Sequence, residues 1–236
     1  MDAPPPDKNP RQIQQMFGRV APAYDRLNHL LSASLDRVWR RRAAAALTTP
    51  ADGPALDLCC GTGDQAVALR RRGARVAAAD FCLPMLALAR PKMARLDPPR
   101  PGLLAADALA LPFPGESFGA ATVSFGLRNV VDLDAALREL ARVLRPGGQL
   151  LVLEFALPRL APLRALYLLY FRRLLPWVGR LVSRHRSAYS YLPSSVLEFP
   201  QRRGFLAHLA ATGFAEPSWR DLSAGVVCLY TARRAR

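Results

Sequence analysis

Between residues 57 and 64 the chain reads Asp-Leu-Cys-Cys-Gly-Thr-Gly-Asp. Gly61 and Gly63 let the backbone turn sharply and lie against a ligand with no Cβ in the way. The turn follows the apolar run Ala55–Cys59, at the carboxyl end of a strand, where doubly wound sheets hold their ligands. Two more carboxylates fall at comparable strand ends. Asp80 closes the run Arg75–Ala79 and can accept both hydroxyl protons of a ribose. Asp107 follows Leu103–Ala106 and can accept an adenine amino proton, with the backbone N–H of Ala108 free to serve a ring nitrogen. Singly, each has a plainer reading: an ordinary strand-to-helix turn, a cap for a helix starting near Pro84, a solvated loop acid. Together they point to a nucleoside. The third glycine of a dinucleotide fingerprint would fall at Ala66, which disfavours a nicotinamide oxidoreductase, and no Gly-Lys-Ser/Thr is present, which excludes a P-loop.

Positioning these residues requires a parallel sheet. Strands are expected at Ala55–Cys59, Arg75–Ala79, Leu103–Ala106, Phe118–Phe125 and Gln149–Phe155. Helices alternate with them at Asp64–Arg72, Pro84–Arg95 and Asp132–Leu144, the last closed by Arg145-Pro146-Gly147-Gly148. A helix near Gln201–Thr212 and two strands around Glu216–Leu222 and Val226–Ala232 follow. With no crossover helix between them, those two strands form an antiparallel hairpin at one sheet edge. The expected fold is α/β, a Rossmann-like doubly wound and mostly parallel sheet with that carboxyl-terminal edge hairpin, amino-terminal helices and a helical insertion. Residues 1–10 are Pro-rich and read as a flexible tail, and 11–236 as a single domain. Within it, 11–50 is a helical lid and 156–198 an arginine-rich helical insertion. In the lid, Pro22 marks a break or a helix start, and Ser34 or Asp36 could cap the next helix.

At 236 residues and 51% hydrophobic content the chain can bury one sizeable core. Its formal net charge of +15 suits an anionic partner, although arginine-rich composition throughout the chain would also produce it, so clustering is the better guide. Between Phe155 and Leu197 lie Arg159, Arg164, Arg172, Arg173, Arg180, Arg184 and Arg186, interleaved with leucines and aromatic residues and with no acidic residue or lysine. Such a segment can lie in a membrane interface with its charges on anionic headgroups, or pack on the domain, or form a homodimer contact. Four cysteines without framework spacing fit a reducing cytoplasm, and neither they nor the three scattered histidines suggest a metal site. No apolar run reaches the ~18–20 residues of a membrane span.

The motifs DLCCGTGD, the acid at Asp80, ADAxxLPFP from Ala106, FGLRNV from Phe125 and LRPGGQLLVLEF from Leu144 resemble those of class I S-adenosylmethionine methyltransferases. More narrowly, the chain resembles the menaquinone/ubiquinone C-methyltransferase family over about residues 12–233, including FGRVAPAYDRLNHLLS, SYLPSSVLEFP and LSAGVVCLY. The resemblance implies that Thr62, Asp80, Asp107, Ala108 and Ser124 contact S-adenosylmethionine, while Gly61 and Gly63 shape the turn and Asp57 completes the cofactor set. The Cys59-Cys60 pair and the YLPSSVLEFP segment lean toward the menaquinone branch, with a prenylated naphthoquinol as substrate and demethylmenaquinol to menaquinol as the reaction. The ubiquinone-branch benzoquinol remains the alternative within the family.

The implied chemistry is alignment of an electrophilic sulfonium methyl with a ring carbon activated by loss of a hydroxyl proton. A phenol of pKa about 10 stays largely protonated at neutral pH, so a base or a cation that stabilises the phenolate is useful; no metal is required. Arg128 could hold the oxygen as an anion and Asn129 could orient it, although Arg128 could equally pair with Glu154 or Asp132. Tyr24, Asp25 and His29 could reach the site from the lid, and Tyr189 and Tyr191 could line the substrate pocket. The base itself is not assignable from these residues. An RNA or protein methyltransferase on the same fold is the other reading, but the aromatics lie among leucines, not over a basic groove, so no nucleic-acid partner is expected. A non-catalytic relative is disfavoured by the intact set Asp57, Gly61, Gly63, Asp80 and Asp107.

Overall fold

The computed structural model describes residues 8–48, 53–170, 173 and 186–236. The strands are β1 Ala55–Leu58, β2 Val76–Asp80, β3 Gly102–Ala105, β4 Phe118–Ser124, β5 Leu144–Phe155, β6 Phe214–Leu222 and β7 Val227–Arg234. They form one sheet in the order β3-β2-β1-β4-β5-β7-β6. Strands β1 to β5 are parallel, and β7 inserts antiparallel between β5 and β6. The expected edge hairpin is therefore present, with its second strand inside and its first outermost.

The inner strands are apolar on both faces, as a covered parallel sheet demands. On β5, Leu150 and Val152 join one core while Leu151 and Leu153 join the other, the two-residue alternation of an extended chain. Helices α2 Leu35–Ala45, α3 Asp64–Arg70 and α4 Leu83–Ala94 cover one face through Trp39, Leu69 and Met93. Helix α5 Leu133–Val143 and the helix Arg203–Ala211 cover the other through Leu137, Leu140, Phe205 and Leu209. In α5, Ala136, Leu137, Leu140 and Val143 are all buried, one stripe at helical spacing, and the Asp132 carboxylate caps its start by accepting from Ala135 N at 2.9 Å.

Several boundaries differ from the sequence expectation. β1 and β4 each stop one residue short, because Cys59 (φ 54) and Phe125 (φ 62) enter the left-handed region and turn the chain out at the carboxyl edge of the sheet. β5 begins at Leu144 directly after α5, so Arg145–Gly148 open the strand instead of forming a separate helix stop. Pro22 does not break the amino-terminal segment; it lies inside one helix, α1 Pro10–Leu31. Interior proline costs about 3 kcal/mol, and packing on both sides offsets it: Val20 and Ala21 against Cys82 and Met85, and Leu27 against Tyr167, Tyr170 and Leu192. Asn9 caps α1 and Pro10 opens it. Ser34 stands at the cap of α2 but its side chain makes no capping bond. Instead Ser32 Oγ accepts from Asp36 N at 3.4 Å and donates to Asp36 Oδ1 at 2.8 Å, so Asp36 is engaged by Ser32 and does not serve as a cap. Helices α6 Ala161–Leu169 and α7 Arg186–Glu198 belong to the insertion, and we number Arg203–Ala211 as α8. Among the described residues no helix is long and apolar enough to cross a membrane.

Candidate functional site

The turn after β1 is shaped by its glycines. At Gly63 (φ 86) an added Cβ would meet Met93 Cε at 2.7 Å, so helix α4 closes the space behind the turn; at Gly61 (φ 54) it would meet nothing within 4 Å. The front of the turn is thus open to a ligand that approaches the backbone directly. Asp80 braces this geometry, accepting from Gly61 N and from Cys82 N, each at 2.8 Å. Burial pushes its carboxyl up, opposed by those backbone N–H groups. Beneath the turn Asp57 is fully buried, accepts from Thr122 Oγ1 at 2.9 Å on the neighbouring strand and is pushed up to about 7, chiefly by burial.

In front lies a cleft of about 930 Å³ at the carboxyl ends of the parallel strands. It gathers Gly61 and Thr62 from the first loop, Asp80 from the second, Asp107 and Ala108 from the third, and Ser124 and Asn129 from the fourth, with Tyr24 from α1. Asp107 is exposed and holds its own loop by accepting from Leu109 N at 2.9 Å. Asn129 also lines this space, and its buried Oδ1 has no hydrogen-bond partner among the described residues. The Thr62 hydroxyl instead donates to Asp25 and accepts from Lys92 Nζ at 3.1 Å. The Cys59 and Cys60 thiols are pushed well above their ordinary range by burial and then by neighbouring carboxylates, so neither supplies a thiolate nucleophile.

A second cleft, about 1140 Å³, opens beside the first and shares Phe17, Tyr24, Arg40 and Phe125 with it. Its walls are aromatic and aliphatic: Trp39, Phe155, Tyr167, Tyr170, Tyr191 and Leu192 among others. The partition between the clefts is a stack. Arg40 Cζ lies 5.3 Å from the Phe125 ring centroid, Phe125 and Phe155 are 4.6 Å apart at 34°, and Arg128 Cζ lies 5.4 Å from Phe155. Such spacings are those of cation–π and offset aromatic contacts. Arg40 Nε and Arg128 Nε are both buried without a hydrogen-bond partner among the described residues.

Arg128 makes the ion pair anticipated as its structural alternative: Nη1 lies 3.0 Å from Glu154 Oε2, with side-chain exposures of 7% and 0%. Burial raises the Glu154 carboxyl and Arg128 opposes that rise. Arg128 is nevertheless among the residues that line the second cleft, so it is both a structural partner and a charge in the cavity wall. The catalytic candidates are distributed: Tyr24 borders both clefts, Asn129 the first, Arg128 the second, and His29 neither. His29 stands behind the wall, with Nδ1 2.9 Å from Asp36 Oδ2. Asp57 and Gly63 also lie behind the first cleft and not on its surface. Tyr191 lines the second cleft; the side chain of Tyr189 and those of Arg172, Arg180, Arg184 and Arg186 lie outside the described residues.

Sequence reasoning passed over Asp36 and Arg40 as site residues. The available signal was their i, i+4 spacing beside a tryptophan, which puts both on one helix face. Atoms of His29, Asp36 and Asp64 come within 4.8 Å of one another. Asp64 is held by Lys92 Nζ at 2.6 Å, as is Asp25 at 2.6 Å, and His29 is bonded to Asp36, so the cluster is a charge network linking α1, α2, α3 and α4 whose groups are already engaged.

The ubiE/COQ5 methyltransferase family matches residues 6–234 of the chain. A demethylmenaquinone methyltransferase of Thermus thermophilus is 47% identical over 221 residues, covering 93% of this chain and 100% of that protein. One of Mycolicibacterium paratuberculosis is 43% identical over 228 residues, covering 97% and 96%. A ubiquinone/menaquinone biosynthesis C-methyltransferase UbiE of Geobacter sulfurreducens is 41% identical, covering 94% and 88%. Among solved structures, the [4+2]-cyclase SpnF superposes with a TM-score of 0.71 at 20% identity over 100% of this chain and 98% of its own. A possible histamine N-methyltransferase of Thermotoga maritima gives 0.65 at 18%, covering 94% and 99%; at such identities these two speak for the fold alone. A match that runs nearly end to end, and covers the Gly61 turn, the acids at the strand ends and the FGLRN wall alike, makes this chain a methyltransferase of the ubiE/COQ5 family.

Proposed function

We propose that the protein transfers the methyl group of S-adenosylmethionine to a ring carbon of a prenylated naphthoquinol, the step from demethylmenaquinol to menaquinol. The observation that carries the reading is the pairing of two clefts across the Phe125 wall. One gathers the strand-end acids and an open backbone turn where a nucleoside can meet them; the other is aromatic and fits a flat ring system with an apolar tail. In the first, Asp80 would take the ribose hydroxyls, Asp107 and the Ala108 N–H the adenine edge, and the open face of Gly61 the close approach of the amino-acid end, with Thr62 and Ser124 alongside. Bound there, S-adenosylmethionine supplies an electrophilic methyl on a sulfonium.

In the second cleft Trp39, Phe155 and Tyr167 would form part of the wall against the quinol, and the Arg128 guanidinium would stabilise its oxygen as an anion. Tyr167, Tyr170 and Tyr191 are raised by burial, Tyr191 to about 12, so these phenols remain protonated donors. Exclusion of water by the aromatic wall strengthens each of these interactions. The names carried by the relatives support the naphthoquinol over the benzoquinol. The insertion supports peripheral contact with an anionic membrane: Leu160, Leu166 and Leu169 are exposed beside Arg164 on and around α6, and a polyprenyl tail resides in a bilayer. On this reading the enzyme works in the cytoplasm, peripherally at the inner face of the membrane.

The experiment is product analysis with labelled S-adenosylmethionine and paired naphthoquinol and benzoquinol substrates. Label should enter the reduced naphthoquinol and not the oxidised quinone, whose ring carbon is electrophilic. Loss of the two ribose bonds in Asp80→Ala should weaken S-adenosylmethionine binding on the order of 100-fold or more, at about 1.5–3 kcal/mol for each hydrogen bond to a charged group. Normal binding by that variant, or equal labelling of both redox forms, would refute the assignment.

A further inference from the structure

We propose that Asp36 is the catalytic residue that takes the hydroxyl proton of the bound quinol, with His29 behind it as a positioning residue. This inference rests on the quinol reading above. The second cleft is lined by a small set of ionisable groups. Its charged and titratable members are Arg40 and Arg128, Tyr24, Tyr167, Tyr170 and Tyr191, and Asp36. Guanidinium groups hold their protons in proteins, and burial keeps Tyr167, Tyr170 and Tyr191 protonated. Asp36 is the one carboxylate on that surface among the described residues, and no histidine, lysine or cysteine shares it. Glu154, the nearest alternative, is fully enclosed and committed to Arg128.

Asp36 is also built as a fixed acceptor. It is only 5% exposed, Ser32 Oγ donates to Oδ1 at 2.8 Å, and His29 Nδ1 lies 2.9 Å from Oδ2. Arg40 stands one helical turn along the same face, at the junction with the donor cleft, so a ring that reaches the junction keeps an oxygen near Asp36. The groups around the dyad are His29 and Asp25 on α1, Arg40 on α2, Asp64 on α3, Lys92 on α4, Arg128 after β4, Tyr167 and Tyr170 on and beside α6, and Tyr191 on α7. Two of the cations, Arg40 and Arg128, belong to the cavity wall and favour an anion there.

The step balances without a further reactant except water. The quinol O–H bond breaks, its proton bonds to Asp36 and its electron pair stays on oxygen. The adjacent ring carbon then forms its bond to the methyl group, and the S–CH3 pair returns to sulfur. The ring C–H proton leaves to water, that electron pair restores the aromatic ring, and Asp36 returns its proton to the oxygen. One proton is released per turnover.

The test compares the wild-type enzyme with Asp36→Asn and His29→Gln on a reduced, short-chain demethylmenaquinone between about pH 6 and about pH 9.5, with S-adenosylmethionine affinity measured in parallel. The asparagine variant should bind S-adenosylmethionine normally and turn over about 100- to 10,000-fold more slowly near neutrality. That deficit should shrink as the pH nears about 10, where a phenol ionises unaided; His29→Gln should show a smaller deficit with the same trend. A merely structural role leaves a deficit that does not vary with pH, and that result, or no deficit, overturns the assignment while quinol methylation stands. Should Asp36→Asn not fold, Asp36→Glu must keep the wild-type pH profile, and a changed profile overturns the assignment equally. No product from the wild-type enzyme with any quinol overturns the quinol reading itself, and this inference with it.

Discussion

Replacing Asp57 with asparagine should alter how stability depends on pH more than it alters stability at any one pH. The carboxyl sits in the middle of β1, fully buried, with Oδ1 bonded to Thr122, the backbone of Ala66 acting on it in the same direction, and Oδ2 without a close hydrogen-bond partner among the described residues. Burial raises it from an ordinary 3.8 to about 7, against the opposing effects of the Thr122 hydroxyl and then the Arg40 charge. A folded state that binds the proton more tightly than the unfolded chain is stabilised at low pH. That stability is lost as the pH rises from about 4 to about 7, through the window between the two values. About three units at about 1.4 kcal/mol each make a loss on the order of 4 kcal/mol.

Urea unfolding of the wild type and of Asp57→Asn from about pH 4 to about pH 8 measures this directly, because subtracting the two curves cancels the other titrating groups. The difference should move by about 4 kcal/mol in favour of the variant, with a steepest slope of about 1.4 kcal/mol per pH unit. The amide brings its own pH-independent offset, since its N–H group is buried without an evident partner, so the slope and not the intercept is diagnostic. Removing the Arg40 charge with Arg40→Met should extend the sloping window to higher pH. A difference that stays flat with pH, or that moves toward the wild type, would refute the claim that the carboxyl is held against its charge by burial.

Arg128→Met should destabilise the fold by about 3–5 kcal/mol, because it leaves Glu154 as a buried carboxylate without its cation. Adding Glu154→Gln should recover much of that loss but not activity, and equal urea midpoints for the single variant and the wild type would count against the ion pair. Flotation with liposomes should recover the protein in the lipid fraction only when anionic lipid is present; recovery independent of lipid charge would favour an insertion that merely packs on the domain.

The sheet was legible because its signals are local. Short apolar runs ending in glycine or acid mark β1, β2 and β4, and the absence of a crossover helix before Val227 marks the edge hairpin. What sequence left out depends on contacts between distant positions. Pro22 reads as a breaker, and only the packing of Val20 and Leu27 against residues on other elements keeps α1 continuous. Cys59 and Phe125 look like strand ends, yet both are left-handed. The pairing that confines Arg128, with Glu154, could be named as a candidate, but not chosen over Asp132 until β4 and β5 lay side by side. Asp36 reads as a helix cap because nothing nearby in sequence says that His29 and Ser32 hold it at a cavity wall.

The placement of charge suggests why a buried ion pair is tolerated where an apolar pair would be no less stable. Glu154 cancels the Arg128 charge while Arg128 still belongs to the wall of the second cleft. Arg40, on the other side of the Phe125–Phe155 stack, has no carboxylate bonded to it among the described residues, and it borders both clefts. A cationic donor would be repelled by two uncompensated arginines, and an anionic acceptor would be poorly held by none. The compensated guanidinium lines the acceptor cleft alone, while the uncompensated one stands where the two clefts meet, so the free positive charge lies at the junction that an anionic acceptor must reach. Phe125 can form that partition only by entering a backbone region that costs a non-glycine residue about 1–3 kcal/mol, and the strain falls at the boundary the proposed transfer has to cross.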